Sequence, residues 1–246
     1  MTPVRLFRAA LLVGFSTLAS AQPADFAPLP RLRFLFLDES AGAYSVKVGR
    51  DQRQLSSGPY VISPPFTPAD LKPLVLFKEL SDPATGLVAP IEVARVSVPT
   101  DSTSALVIVS PRPRPAATSP LAYAVEIVPT SAEEFPAGSV GIVNRAQAAV
   151  ATKFGDVQAA VAPGEVKILR VTPDHRHRVL SRIAGQTSEG WKLVSDSISV
   201  VRPEERLIGI YVHSPSGMRH MFTAEEIAEF GPPQPGNFWL TFSDRP

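Results

Sequence analysis

The chain has 246 residues, of which 44% are hydrophobic, 19% charged and none cysteine, and its formal net charge is +1. That hydrophobic share belongs to a folded protein, and the lack of cysteine excludes disulfides, thiol nucleophiles and a lipid-anchored cysteine. A charge so close to zero gives no global attraction to nucleic acid or anionic lipid.

Arg5 and Arg8 precede a short apolar run from Ala9 to Leu18, and Ala19-Ser20-Ala21 supplies the small residues a signal peptidase accepts. Residues 1–21 therefore read as a secretory signal peptide cut before Gln22. The apolar run is well short of the roughly 20 residues that span a bilayer. The expected location is exported (periplasm, cell surface or extracellular), with no transmembrane segment after cleavage. The leader carries two arginines and no acid, so its removal takes the formal charge from +1 to −1.

After a linker at 22–30, short apolar runs alternate with Pro, Gly, Ser and Asp. They include Arg33–Leu37, Tyr44–Val48, Leu74–Phe77, Ile91–Val98, Ala105–Val109 and Ala122–Val128. Further runs are Val140–Val143, Glu165–Leu169, Leu207–Val212 and Phe238–Phe242. Period-two alternation, as in Tyr44/Val46/Val48, puts one face on a core and one in water. The 26 prolines favour short strands and turns, since proline donates nothing to a strand ladder. Pro111-Arg-Pro-Arg-Pro115 reads as a polyproline-II loop between strands. One short helix is expected near 224–230, where Thr223-Ala-Glu-Glu226 forms a capping box and Gly231-Pro232-Pro233 ends the turn. The fold class is all-β.

Residues 34–62 slide onto 140–168 without a gap. Identities fall at Ala43/Ala149, Lys47/Lys153, Gly49/Gly155, Gln52/Gln158, Gly58/Gly164 and Ile62/Ile168, and Asp38 meets Asn144. The paired glycines sit where strands should turn, which is where positive φ is easiest for glycine. Ala105–Ser110 then answers Leu207–Val212. The expectation is two tandem β-sandwiches, 31–130 and 131–246, joined at the polar connector Pro129–Pro136. The stretches Ile142-Val143-Asn144, Thr152-Lys153-Phe154-Gly155 and Val161-Ala162-Pro163-Gly164-Glu165 resemble the opening strands of immunoglobulin-like modules in exported bacterial proteins. That resemblance implies a scaffold for adhesion, assembly or ligand contact and carries no catalytic residues.

Motifs for chemistry are sparse. The sequence has no G-x-S-x-G elbow and no G-x-x-x-x-G-K phosphate loop, so no enzyme and no cofactor are expected. Lys167, Arg170, Arg176, Arg178 and Arg182 alternate with Ile168, Val171, Val179 and Ile183, which suggests a strand pair with one basic docking face. Trp191 and Trp239 are the only tryptophans and the natural sugar platforms, with burial the competing role for Trp239. His175 and His177 are spaced to share one strand face, as a metal site requires, unless they lie in a solvated turn after Pro173. The leading expectation is a non-catalytic structural or protein-interaction module of the bacterial envelope, contacting another envelope protein or an acidic glycan. The alternatives are a carbohydrate-binding sandwich and a metal-binding one.

Overall fold

The computed structural model describes residues 28–39, 43–48, 50–56, 59–81, 85–112 and 121–245. The expected leader, the head of the linker and most of the proline-rich loop after Pro111 lie outside the described residues. The fold is all-β with one short helix. The first half holds β1 (Arg31–Phe36), β2 (Tyr44–Val48), β3 (Asp51–Ser56), β4 (Leu74–Ser81), β5 (Val88–Val96), β6 (Ser104–Pro111) and β7 (Tyr123–Pro129). The second holds β8 (Ser139–Arg145), β9 (Val150–Phe154), β10 (Val157–Val161), β11 (Val166–Arg170), β12 (Arg178–Thr187), β13 (Gly190–Val200), β14 (Arg206–Ser214), α1 (Ala224–Phe230) and β15 (Gly236–Asp244).

These strands form four sheets, ordered β3-β2-β4-β5, β1-β6-β7, β11-β8-β14-β15 and β10-β9-β12-β13. The two halves share one topology. In each, the first strand runs parallel to a later one, β1 with β6 and β8 with β14, and that later strand pairs antiparallel with the last. An isolated bridge, Leu35 to Ile62, stands where the second half builds β11, at Gly141 to Ile168. Even the irregularities match, since a bulge falls between Leu76 and Phe77 in β4 and between Ile183 and Ala184 in β12. A bulge re-aims a strand at a fixed point, so its recurrence marks one design used twice.

Register makes the equivalence residue by residue. Tyr44 pairs with Lys78 and Val150 with Gly185, so Lys78 and Gly185 hold the same place. Val107 faces Phe34 and Leu207 faces Val140, which carries Tyr123 onto Trp239 through the last strand pair. Val107 thus answers Leu207, two residues away from the expected match of Ala105 with Leu207. The strands were matched correctly, and only the hydrogen-bond ladder fixes how far one has slid along the other.

Three cores join the four sheets into one stack. Phe34, Phe36, Val107 and Tyr123 pack against Tyr44, Val46, Leu76 and Ala94 between the first two sheets. Val140, Ile142, Leu207 and Tyr211 pack against Val150, Phe154 and Ile183 between the last two. The third core lies between the halves, where Leu35, Leu106, Ile108 and Val128 meet Val143, Ile208, Ile210 and Val212. The inner sheets are therefore covered on both faces. This explains why β6 and β14 read as nearly uninterrupted apolar runs and departs from the expected core-and-water alternation. At about 1.5–3 kcal/mol for each large apolar side chain removed from water, the middle core holds the halves together far more firmly than a flexible tether would.

Polar contacts frame that middle core. Arg206, 2% exposed, donates to Asp244 Oδ2 from Nε at 3.0 Å and Nη2 at 2.6 Å, and from Nη1 to the Phe135 carbonyl at 2.8 Å. Arg33 closes on the other Asp244 oxygen at 2.7 Å, tying β1 to β15. Arg145 pairs with Glu126 across the same seam. Glu39 accepts from Ser214 and Ser216 of the second half and from Tyr60 of the first, the last at 2.8 Å.

The helix is capped as the sequence indicates. Glu226 N–H donates to the Thr223 hydroxyl at 3.2 Å, while the Thr223 N–H donates to the Glu226 carboxylate at 2.8 Å. Gly155 and Gly164 adopt φ of +57° and +80° at their turns, and their first-half counterparts lie outside the described residues.

Candidate functional site

Strand alternation decides what the outermost sheet of the second half displays. Val179, Ser181 and Ile183 of β12 point inward, so Arg178, Leu180 and Arg182 point out, and their β13 partners Val200, Ile198 and Asp196 point out beside them. Beyond the bulge, Leu193 and Trp191 continue that outward row. Leu180, Trp191, Leu193 and Ile198 are 47%, 53%, 59% and 62% exposed, so large apolar side chains stand in water along a β-sheet face. Such clustering differs from the scattered exposed leucines of any surface. β13 escaped sequence analysis because Ser195, Ser197 and Ser199 dilute its apolar signal.

The five basic residues do not form the expected single face. Lys167 and Arg170 lie on β11, in the inner sheet, while Arg178 and Arg182 lie on β12, in the outer one. Arg176 sits in the turn between them. They are not a strand pair, because the segment between the two runs carries the chain from one sheet to the other. Arg178 pairs with Asp174 at 3.0 Å and Arg182 with Asp196 at 3.2 Å, so both outward arginines are partly neutralised.

His175 and His177 fall in that same turn and not on a strand. The Asp174 carboxylate accepts from the backbone N–H of Arg176 at 2.8 Å and of Arg178 at 2.9 Å, and His177 takes φ of +59° to close the loop. These hydrogen bonds, that of Arg178 foremost, hold the Asp174 carboxyl down at about 2. Among the described residues, no group of three or more His, Asp or Glu side chains is placed to hold a metal ion.

The two tryptophans are not one platform. Trp191 lies outward at the β12–β13 hairpin, whereas Trp239 packs into the second sandwich. Its ring lies across Gly209, where an added Cβ would come within 2.0 Å of it. Its neighbours in sequence, Phe238 and Leu240, face the middle core.

Beside Trp239 opens a cleft of about 580 Å³ between β13 and β15, lined by Lys192, Ser195, Tyr211, His213 and Asn237 among others. His213 Nδ1 lies 3.0 Å from the Asn237 amide oxygen. Burial pushes the Tyr211 phenol up, with the Asn237 amide acting in the opposite direction.

The same place in the first half is filled. Lys78, 1% exposed, enters the core and donates to Asp38 Oδ2 at 2.5 Å. Tyr44 donates to that oxygen at 2.5 Å and Tyr123 donates to it as well. A buried charge is tolerable only when so paired and hydrogen-bonded. In the second half Asp38 becomes Asn144, whose amide instead donates to the Ala148 and Val161 carbonyls at 2.9 and 3.0 Å, and Lys78 becomes Gly185.

Neither a protein-family model nor a curated protein sequence matches this chain.

Proposed function

We propose that the protein acts by contact and not by catalysis, as an exported interaction module of the bacterial envelope. The observation that carries this reading is the row of exposed apolar side chains on the outer face of β12 and β13. Leaving Leu180, Trp191, Leu193 and Ile198 in water is unfavourable, by roughly 25 cal/mol per Å² of apolar surface, unless something covers them. The occupant is another envelope protein with an apolar centre. Arg178 and Arg182 border the row, and because Asp174 and Asp196 already neutralise them, the contact is apolar first and only weakly salt-dependent. The leader at 1–21 and the resemblance to immunoglobulin-like modules of exported bacterial proteins support the location.

Crosslinked capture from the native envelope, with residues 22–246 as bait, tests the reading. A stoichiometric protein partner that survives 0.5 M salt and is lost with the Leu180→Glu/Ile198→Glu variant would support it. Absence of a partner, or one that the variant retains, would sink it.

A further inference from the structure

We infer that the cleft between β13 and β15 is a binding site for an acidic saccharide unit, one carrying a carboxylate on a hydroxylated ring. The cleft lies between β13 and β15 and shares only Leu193 with the docking row, so the inference does not rest on the docking reading.

The first argument is comparative. At equivalent positions the first half seals its core with Lys78, Asp38 and Tyr123, while the second carries Gly185, Asn144 and Trp239. Glycine at 185 yields the place of Lys78 to the Tyr211 phenol, a neutral group that lines the cleft, and Asn144 removes the acid that would attract a buried cation. Beside that phenol the cleft has about 580 Å³, within the size range of small-ligand sites.

The second argument is chemical. Lys192 is the one charged side chain among the lining residues, and it has no ion-pair partner among the described residues. The local charge therefore favours an anion. Around it stand neutral groups able to donate or accept: the Ser195 hydroxyl, the Tyr211 phenol, the His213 imidazole and the Asn237 amide. Trp239 contributes an aromatic wall, and its indole N–H has no hydrogen-bond partner among the described residues. A pyranose ring presents apolar C–H bonds on its faces and hydroxyls at its rim, which suits an aromatic wall edged by polar groups. A uronic acid adds the carboxylate that Lys192 would meet.

The test uses residues 22–246 with Trp191→Phe, so that Trp239 is the sole tryptophan. Trigalacturonic acid is titrated against it while Trp239 emission is followed, with cellotriose as the neutral comparison. Saturable binding of the acidic trisaccharide is expected, at least tenfold weaker in Lys192→Glu and in Asn237→Ala. Because Lys192 is exposed, its substitution leaves the fold intact, and thermal unfolding checks this for both variants. No saturable change with trigalacturonic acid, equal binding of cellotriose, or unchanged affinity in Lys192→Glu would overturn the inference. Leu180→Glu/Ile198→Glu should bind the trisaccharide normally, so failure here and failure of the docking reading are separable.

Discussion

The phenol oxygen of Tyr211 occupies the space that a side chain on Gly185 would need, 1.9 Å from an ideally placed Cβ. Glycine is required there by a neighbour and not by backbone angle. Gly185→Ala should therefore destabilise the protein by about 1–3 kcal/mol, the usual penalty for overpacking a core. In a Tyr211→Phe background, which deletes the offending oxygen, the same substitution should cost clearly less. Urea unfolding of the four proteins measures the coupling, and simple additivity would contradict it.

All four tyrosines of the chain, Tyr44, Tyr60, Tyr123 and Tyr211, have phenols pushed above the ordinary value, burial being the first cause in each. The stability this represents is present below the unfolded phenol pKa of about 10 and is lost as pH rises beyond it, because only the unfolded chain then releases those protons. Phenolate absorbance should appear together with loss of near-ultraviolet dichroism in an alkaline titration. A tyrosine ionising with ordinary pKa in the folded protein would refute this.

Lys78 and Asp38 form a pair whose halves depend on each other. Lys78→Met should cost about 3–5 kcal/mol, since it takes from a buried carboxylate the cation paired with it. Asp38→Asn/Lys78→Met should recover part of that loss, because neither charge then remains. Chemical denaturation of the single and double variants decides the point, and a double variant less stable than Lys78→Met would count against it.

The turn at 174–178 makes a prediction in acid. With the Asp174 carboxyl held at about 2, the support it gives the turn is present above the ordinary carboxylate pKa and disappears as pH falls toward 2. Its side-chain carbon resonance should still report the ionised form at pH 3, where an unperturbed aspartate is mostly protonated.

The middle core implies shared unfolding. Residues 22–246 should melt in one transition, with calorimetric and van't Hoff enthalpies in agreement. Residues 28–130 alone would expose Leu35, Leu106, Ile108 and Val128, and should aggregate or bind a hydrophobic dye. Two well-separated melting transitions would disprove the shared core.

Part of this was legible in the sequence because local chemistry determined it. Thr223 and Glu226 specify the helix start by themselves, and the gapless match of 34–62 with 140–168 located β2 against β9 and β3 against β10. The stack was not legible. Runs such as Ala105-Leu-Val-Ile-Val109 show that a strand is covered on both faces, but not that the second cover comes from the other half of the chain. The cleft was hidden for a related reason. Between Leu74/Ser181 and Lys78/Gly185 the halves share no residue, and only the hydrogen-bond register shows that a buried lysine and a glycine are counterparts. The basic stretch misled because alternation along the chain does not report a change of sheet.

The ion pair between Arg33 and Asp244 fixes where the first and last strands meet. Chain leading into β1 and chain leaving β15 depart from one place on the middle seam, while the two outer sheets face opposite ways. Any attachment made through either route would hold the molecule by its waist, leaving both outer surfaces clear.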